Sequence, residues 1–188
     1  MNRRDIPNTL LARLRAVDTP TVCNAIEVAQ GQRGFNRFTR GTMLHSRPGT
    51  PAMVGRARTA KIAGLEPPSE ALDVIKARRL EYFRAMARGP QPTVAVIEDV
   101  DYPDCIAGWW GEVHVAVHKG LGMMGAVTNG VMRDLDVIDD GFPILSGSVG
   151  PSHGFVHVRD LGTDVSIMGM KVCEDDLVHA DRHGAVVV

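Results

Sequence analysis

Frequent glycine and proline residues limit the length of every helix and strand that this chain can form. Glycine occupies 20 and proline 11 of its 188 positions, and both residues interrupt regular structure, so a bundle of long helices is disfavoured. Short strands alternating with helices suit such spacing better. We therefore predict a single α/β domain over residues 1–188, with a helical N-terminal part of about residues 1–31 and a β-rich part of about residues 143–188.

The spacing of apolar residues, together with start and stop signals, predicts four helices. They begin at about residue 8, at residue 19 with a stop at Gly31, at residue 69 with a stop at residues 89–90, and at residue 111 with an end near residue 119. Thr19, which proline follows, is the expected N-cap of the second helix, and Ser69 is that of the third. The buried face of the third helix is expected to comprise Leu72, Ile75, Leu80, Phe83 and Met86.

A five-residue apolar run at residues 93–97 predicts a strand that is buried on both faces. Residues 31–51 are predicted to be loops with at most one edge strand, because they are irregular and rich in arginine and glycine. Further strands are predicted at residues 54–62, 125–127, 155–158, 165–168, 171–172, 177–180 and 185–188.

The charge balance and the cysteines exclude several classes of protein. With 21 Lys and Arg against 22 Asp and Glu, the net charge of −1 gives no general electrostatic basis for binding nucleic acid or an anionic membrane. The cysteines at positions 23, 105 and 173 are far apart, which disfavours a disulfide scaffold or a zinc ribbon. No apolar window approaches the roughly 20 residues of a membrane helix. We expect a soluble, cytoplasmic protein with reduced thiols.

Two motifs invite functional interpretations that their context does not favour. Residues 120–125 match G-x-G-x-x-G, but the dinucleotide fingerprint follows a strand and precedes a helix, whereas here a helix precedes and a strand follows. A helix C-cap and a tight turn explain these glycines more simply. His114 and His118 have the spacing of two zinc ligands, but the glutamate of H-E-x-x-H is absent between them. His179 and His183 are interpreted as part of a polar turn between two strands.

The sequence Asn129-Gly130-Val131-Met132-Arg133-Asp134 is more informative, since it follows a predicted buried strand. Arginine can bind a carboxylate bidentately, and aspartate can hold a hard divalent cation. The competing interpretation is a surface ion pair. The predicted helix start at Gly111-Glu112 favours a site, because free amides at a helix N-terminus bind anions and glycine permits close approach. Together these residues, with Glu112 as a second carboxylate, predict a metal-assisted site for a small 2-oxo acid.

Three blocks of sequence resemble the RraA-like proteins, which include the regulator of ribonuclease E activity and divalent-metal-dependent 4-hydroxy-4-methyl-2-oxoglutarate aldolases. The first is Trp110-Gly111-Glu112 followed by a helix. The second, residues 122–134, is close to the family pattern G-x-x-G-x-V-x-D-G-x-x-R-D and is the specific one. The third, residues 175–188, resembles the tail G-D-x-x-x-A-D-x-x-G-V-x-V-V. The resemblance extends from about Thr19 to the end of the chain.

The resemblance implies a β/β/α sandwich of the swivelling type, assembled as homotrimers or as hexamers with the active site between subunits. By position, Arg133 resembles the arginine that binds pyruvate, Asp134 the direct metal ligand, and Glu112 an acidic residue that holds a metal-bound water. The backbone of Gly111, Glu112, Val113 and His114 resembles the loop that receives the substrate carboxylate.

Three departures from the family pattern bear on function. Asn129 stands where the family usually has aspartate, which changes a turn contact. His114 stands where an aliphatic residue is common, so we expect a different pocket polarity and substrate choice. The family's aldolases continue beyond the position of Val188 into a C-terminal helix that lends a glutamate to a neighbouring subunit's metal site, and a protein without that helix would be expected to lose metal affinity or aldolase activity.

The implied activity is a class II type retro-aldol cleavage of a 4-hydroxy-2-oxo acid to pyruvate, with Mg²⁺ or Mn²⁺ as the cofactor. Decarboxylation of oxaloacetate requires the same chemistry. The alternative is a non-catalytic regulator that binds a ribonuclease or another protein, which could retain Arg133 and Asp134. A quinone methyltransferase is disfavoured, because only the glycines at positions 120–125 would support it.

Overall fold

Helices form where the spacing predicts them. The computed structural model describes residues 6–188, so residues 1–5 of the predicted domain lie outside the described part. The helices are α1 (Asn8–Arg15), α2 (Thr19–Gln30), α3 (Leu72–Met86) and α4 (Glu112–Gly120). Within residues 6–188, no helix has the length and apolar character needed to cross a membrane.

Apart from the 11-residue β2, the strands have seven residues or fewer, and they fall into three sheets. In chain order they are β1 (Leu44–His45), β2 (Met53–Ala63), β3 (Thr93–Asp99), β4 (Gly108–Trp110), β5 (Met123–Thr128), β6 (Val131–Met132), β7 (Ile144–Ser146), β8 (Ser148–Val149), β9 (His157–Leu161), β10 (Val165–Ile167), β11 (Met170–Val172), β12 (Leu177–Asp181) and β13 (Gly184–Val187). The single strand allowed between residues 31 and 51 is the edge strand β1.

Two predicted N-caps are wrong. The side chain of Asp18, not Thr19, accepts the Thr21 amide at 2.9 Å, so Asp18 caps α2 and the proline lies inside the first turn. Helix α3 begins at Leu72 after Ala71, with no side-chain cap. Ser69 lies too early, because Ala71 is still extended and the neighbouring Glu70 is held by Arg78 at 2.8 Å. Gly31 does end α2, as predicted, and it adopts the left-handed conformation common at helix C-termini.

The main sheet has the order β1-β7-β5-β3-β2-β12-β13, with β9 pairing with the second half of β2. Its centre is parallel, since β2, β3, β5 and β7 run in the same direction. Strands β12 and β9 are antiparallel to β2, which makes the sheet mixed. The apolar run of β3 occupies the middle of the sheet and is buried on both faces, as predicted.

Alternate residues of β3 enter two different cores. Ala95 and Ile97 pack with residues of α3 and α4, whereas Val94 and Val96 pack with the hairpin formed by β10 and β11. The layers are therefore helices, main sheet and β-hairpin, which confirms the predicted α/β class and β/β/α arrangement. Helices α1 and α2 cover a third apolar cluster beside β12 and β13.

The first two glycines of residues 120–125 serve a turn, as interpreted from their context, whereas Gly125 lies within β5. Gly120 is the last residue of α4, and Gly122 adopts a positive φ of 81° before β5 begins. On α3, two core predictions are wrong: Leu72 is 65% exposed and Leu80 is 51% exposed, whereas Tyr82 is fully buried. The face of α3 turned toward the core therefore follows Ile75, Tyr82 and Met86, and Arg79 occupies the i+4 position of the same series but is exposed.

Candidate functional site

A small parallel sheet that the sequence did not predict brings the two halves of the site together. Its strands are ordered β4-β6-β8, and Trp110 of β4 is in register with Met132 of β6. The pairing continues past β6, where the Arg133 amide donates to the Trp110 carbonyl at 2.8 Å. Arg133 and Asp134 therefore follow β6 rather than β5, which corrects the expectation that they lie in a turn directly after the buried strand.

Gly111 is the N-cap of α4, as predicted, and it lies against Asp134. The Glu112 amide donates to Asp134 Oδ2 at 3.2 Å, and Arg133 Nε lies 3.5 Å from the same oxygen. A Cβ at Gly111 would overlap Asp134 Oδ2 and would lie 3.2 Å from Arg133 Cγ and Nε. The structure thus joins the guanidinium, the carboxylate and the helix N-terminus, and glycine makes the approach possible.

The backbone of Asp134 is unusual. Its φ of +59° lies in the left-handed region, which costs a non-glycine residue of order 1–3 kcal/mol but is more accessible to Asp and Asn than to most others. Its carbonyl accepts the amides of Val137 and Ile138 at 3.0 and 3.1 Å. The turn that follows therefore fixes the direction in which the carboxylate leaves β6.

Arg133 separates two surface depressions. Its side chain is 34% exposed, and its aliphatic part packs so closely on Gly108 that a Cβ there would lie 3.0 Å from Arg133 Cδ. A cavity of about 480 Å³ on one side is also lined by Gly111, His114 and a residue of α3. A second depression of about 600 Å³ on the other side is lined by Arg133, Asp134 and the start of the following turn.

The remaining predicted site residues differ in their surroundings. Val113 lines the first cavity and is 71% exposed. Glu112 is exposed, lines neither depression, and its carboxylate has no hydrogen bond or ion pair with residues 6–188. His114 is only 6% exposed, and its ring centroid is 4.1 Å from that of Trp109.

His114 and His118 are engaged with neighbouring groups of the protein. His118 Nδ1 donates to the His114 carbonyl at 2.6 Å, and its Nε2 accepts from the Tyr82 hydroxyl at 2.7 Å. His114 Nε2 accepts from Arg79 Nη2 at 3.2 Å. Burial, followed by the nearby positive groups, lowers the pKa of His114 to about 3, and burial lowers the pKa of His118 to about 4. Both rings are therefore neutral near pH 7.

The other histidine pair forms part of the fold. His183 lies in the turn between β12 and β13, where its amide donates to Asp181 Oδ1 at 2.8 Å. His179 is fully buried, with its Nε2 donating to the Leu14 carbonyl at 2.9 Å and Thr19 Oγ1 3.0 Å from its Nδ1. These bonds fasten the start of α2 to the sheet.

Sequence reasoning missed Arg79, which lines the first cavity together with Leu72 and Ile75 of the same helix. Its guanidinium carbon lies 5.8 Å from the centre of the Trp109 ring, in cation–π range. The signal was present, because Arg79 occupies a position between Ile75 and Tyr82 that the helical spacing assigns to the buried face. A cationic residue at such a position of a helix indicates either a buried ion pair or a ligand site, and the sequence alone does not show which of the two is present.

Asn129, which departs from the family pattern, ties the ends of two central strands together. Its Oδ1 accepts the Asp99 amide at 2.7 Å, and its Nδ2 donates to the Asp99 carbonyl at 3.0 Å. An aspartate could accept the first bond but could not donate the second. The side chain thus fixes the chain immediately before β6, and the Arg133–Asp134 pair follows four residues later.

The donor set fits a cation that takes few protein ligands. No group of three or more His, Cys, Asp or Glu side chains in residues 6–188 is arranged to hold a metal ion. Mg²⁺, however, commonly binds one or two carboxylates and completes its shell with water and substrate oxygens. Asp134 offers one carboxylate, whose Oδ2 occupies the space left by the missing side chain of Gly111, and the exposed Glu112 at the next position offers a second. The residues therefore fit an open Mg²⁺ or Mn²⁺ site and not a closed zinc site.

Comparison with known proteins gives one family match. The sequence profile of the RraA-like family, described as Aldolase/RraA, matches residues 19–187. No functionally curated protein sequence matches the chain significantly.

Several solved structures share the fold. Streptomyces coelicolor RraAS2, described as an unusual member of the RNase ES inhibitor RraA family, is 25% identical, with a TM-score of 0.74 over 100% of this chain and 87% of its own. A protein from gut-associated microbes, described as a novel cellulase, is 20% identical, with a TM-score of 0.79 over 100% and 82%. The RNA-processing inhibitor RraA from Thermus thermophilus is 12% identical, with a TM-score of 0.64 over 88% and 91%. The last two likenesses show the fold alone.

Proposed function

The chain belongs to the RraA-like family, and we propose that it is a divalent-metal-dependent aldolase that cleaves a 4-hydroxy-2-oxo acid to pyruvate. The observation that carries this proposal is the convergence of Arg133 and Asp134 on the N-terminus of α4. Arg133 Nε lies 3.5 Å from Asp134 Oδ2, and the Glu112 amide lies 3.2 Å from the same oxygen. A guanidinium, a carboxylate and helix amides are the groups that a chelated 2-oxo acid needs. A simple surface ion pair would not require glycine at position 111.

Each residue has a defined task in this reaction. Asp134 and Glu112 would hold Mg²⁺ or Mn²⁺, directly and through water respectively, and the ion supplies Lewis-acid polarisation of the 2-oxo group. The amides at the start of α4, within Gly111 to His114, would bind the substrate carboxylate at the positive end of the helix, apart from the Glu112 amide, which donates to Asp134. Arg133 donates to the oxygen on which negative charge develops as the C3–C4 bond breaks, an effect commonly worth several kcal/mol. Oxaloacetate would lose carbon dioxide at the same groups.

The proton of the C4 hydroxyl would pass to a water held by Glu112 as the C3–C4 bond breaks, and that water would return a proton to C3, which becomes the methyl group of pyruvate. Its carboxylate is exposed and unengaged by residues 6–188, so it is available to position such a water. The first-turn location places it one residue from Gly111. No general base forms part of the Arg133–Asp134 pair itself, because Asp134 would hold the cation.

We expect the protein to work in the cytoplasm as a homotrimer or hexamer, with the cleft completed by a neighbouring subunit. Exposed apolar side chains beside both depressions support a covering subunit: Val113, Val137, Val149 and Phe155 are each between 47% and 71% exposed. Light scattering coupled to size-exclusion chromatography measures the assembly, and a monomer at micromolar concentration would contradict this expectation.

A regulator that binds a ribonuclease is the second candidate. The likeness to Streptomyces coelicolor RraAS2 at 25% identity favours it. Such a regulator could dock its partner on the same four exposed apolar side chains beside the two depressions. It requires no turnover.

Pyruvate release separates the two candidates. A panel of 4-hydroxy-2-oxo acids and oxaloacetate is incubated with the protein and Mg²⁺ or Mn²⁺, with a parallel series containing EDTA. An aldolase releases pyruvate only when the metal is present, and the activity returns when excess metal is restored. Absence of metal-dependent product across the panel would refute the catalytic proposal and favour the regulator.

A further inference from the structure

Two arginines face the same cavity from different elements, and only one of them belongs to the site described above. Arg133 enters the cavity of about 480 Å³ from the end of β6, and Arg79 enters it from α3. His114, from the first turn of α4, is in contact with Arg79 and lines the same cavity. The cavity therefore carries positive charge at two places.

Neutral groups hold the Arg79 guanidinium. Its Nη2 donates to His114 Nε2 at 3.2 Å, and its carbon lies 5.8 Å from the centre of the Trp109 ring. No ion pair links it to a carboxylate within residues 6–188, whereas its helix neighbours Arg78 and Arg84 pair with Glu70 and Glu81. A cation oriented by neutral partners at a cavity wall keeps its charge available for an anion.

His114 can orient Arg79 only while it is uncharged. A guanidinium has donors alone, so the imidazole nitrogen that faces it must be an acceptor. The other ring nitrogen, Nδ1, is buried with no hydrogen-bond partner among the described residues. The wall beside Arg79 thus contains an unsatisfied polar group as well as a free positive charge.

We infer that Arg79, oriented by His114 and Trp109, is the specificity-determining residue that binds a second carboxylate at the far end of the 2-oxo acid. This inference rests on the proposed function, because the first carboxylate and the 2-oxo group occupy the amides of α4 and Arg133. The substrates it selects are dicarboxylates. Monocarboxylic 2-oxo acids of the same length leave Arg79 without a partner.

The test compares two ligands that the reaction cannot cleave and that differ only at the far end. 2-Oxoglutarate carries a terminal carboxylate, and 2-oxopentanoate carries a methyl group in its place. Titration calorimetry with Mg²⁺ present gives both dissociation constants for the wild-type protein. We expect 2-oxoglutarate to bind about ten- to a hundredfold more tightly, the usual range for one charge-assisted contact.

Variants then assign that ratio to a residue. Arg79→Met should reduce the affinity for 2-oxoglutarate to that for 2-oxopentanoate, and leave the latter unchanged. Arg79→Lys should restore part of the ratio, since it retains the charge but not the planar fork. Arg84→Met is the matched control on the same helix, because Arg84 is exposed and does not line the cavity, and it should behave as the wild type.

The outcomes distinguish this inference from the proposed function. Three results would overturn the role of Arg79 and leave the proposed function standing. They are equal binding of the two ligands by the wild-type protein, an Arg79→Met variant with an unchanged affinity ratio, and an Arg79→Met variant that loses the same affinity for both ligands. A wild-type protein that binds neither ligand would overturn both the role of Arg79 and the keto-acid site. A protein that shows the ratio but releases no pyruvate from any hydroxy-oxo acid would support Arg79 and refute the aldolase.

Discussion

Substitution of Gly111 by alanine tests whether the close approach of three groups is what the site requires. The backbone at Gly111 is extended, with φ −149°, so alanine is conformationally acceptable there. The added Cβ, however, would overlap Asp134 Oδ2 at less than 3.0 Å, a separation that real Cβ atoms essentially never show. It would also lie 3.2 Å from Arg133 Cγ and Nε. Asp134 must therefore move, and Arg133 must adjust with it.

The magnitude follows from the contacts that the Cβ displaces. Overpacking of this kind costs about 1–3 kcal/mol, offset by about 0.4–1 kcal/mol gained from restricting the unfolded chain. We expect the free energy of unfolding to fall by about 1–2 kcal/mol. We expect the loss of activity to be more pronounced than this loss of stability, because a displacement of about 1 Å at a reacting group can reduce the rate about a hundredfold.

The assays are urea unfolding and kcat/KM for pyruvate release with Mg²⁺. Gly120→Ala is the matched control at the other end of the same helix, since no atom lies within 4 Å of a Cβ added there. It should retain full activity and gain up to about 1 kcal/mol of stability. A folded Gly111→Ala protein with kcat/KM within twofold of the wild type would refute the argument that this approach is needed.

Three further predictions address charge and protonation. Arg133→Lys retains the charge but loses bidentate geometry, so kcat/KM should fall at least about tenfold; unchanged kinetics would indicate a surface ion. Asp134→Asn suits the same left-handed backbone but should abolish metal-dependent turnover and Mn²⁺ binding by calorimetry, while circular dichroism stays unchanged; wild-type Mn²⁺ affinity would remove the ligand assignment. The folded pKa of His118 is about 4 against an ordinary 6.5, so the unfolded chain binds more protons between these values. The contribution of His118 to stability should be flat above pH 7 and fall by about 2 kcal/mol at about pH 5. His114, whose pKa is lowered to about 3, adds a fall of its own, so the total decline should be smaller in His118→Gln; equal pH profiles of the two proteins in urea unfolding would contradict this.

The sequence predicted those parts of the fold that depend on local signals. The apolar run of β3 and the glycine that ends α2 are recognisable because each depends on a few adjacent residues. The N-caps of α2 and α3 were misplaced, since Asp18, Thr19 and Ser69 are all capable of capping and the choice depends on the incoming chain. The burial of Tyr82 instead of Leu80 depends on how α3 is rotated against the sheet, which its weak apolar pattern does not fix.

The candidate site was partly predictable for a different reason. Gly111, Arg133 and Asp134 could be associated because their chemistry is complementary, although β4 and β6 are too short to show any periodicity. The pairing of these strands, which sets the distances, was not predicted. Arg79 was missed because its role depends on a cavity between α3 and α4, and such a cavity exists only once both helices have packed on the sheet.

The connection between β4 and β6 has a consequence for how the protein acquires activity. The chain leaves one sheet after Trp110, forms α4, passes through the main sheet as β5, and only then returns to place Arg133 beside the point of departure. Loop closure of this kind is costly until the intervening strand is anchored. Recovery of turnover during refolding should therefore lag behind assembly of the main sheet. Local unfolding of β5 should inactivate the protein before the rest of the fold is lost.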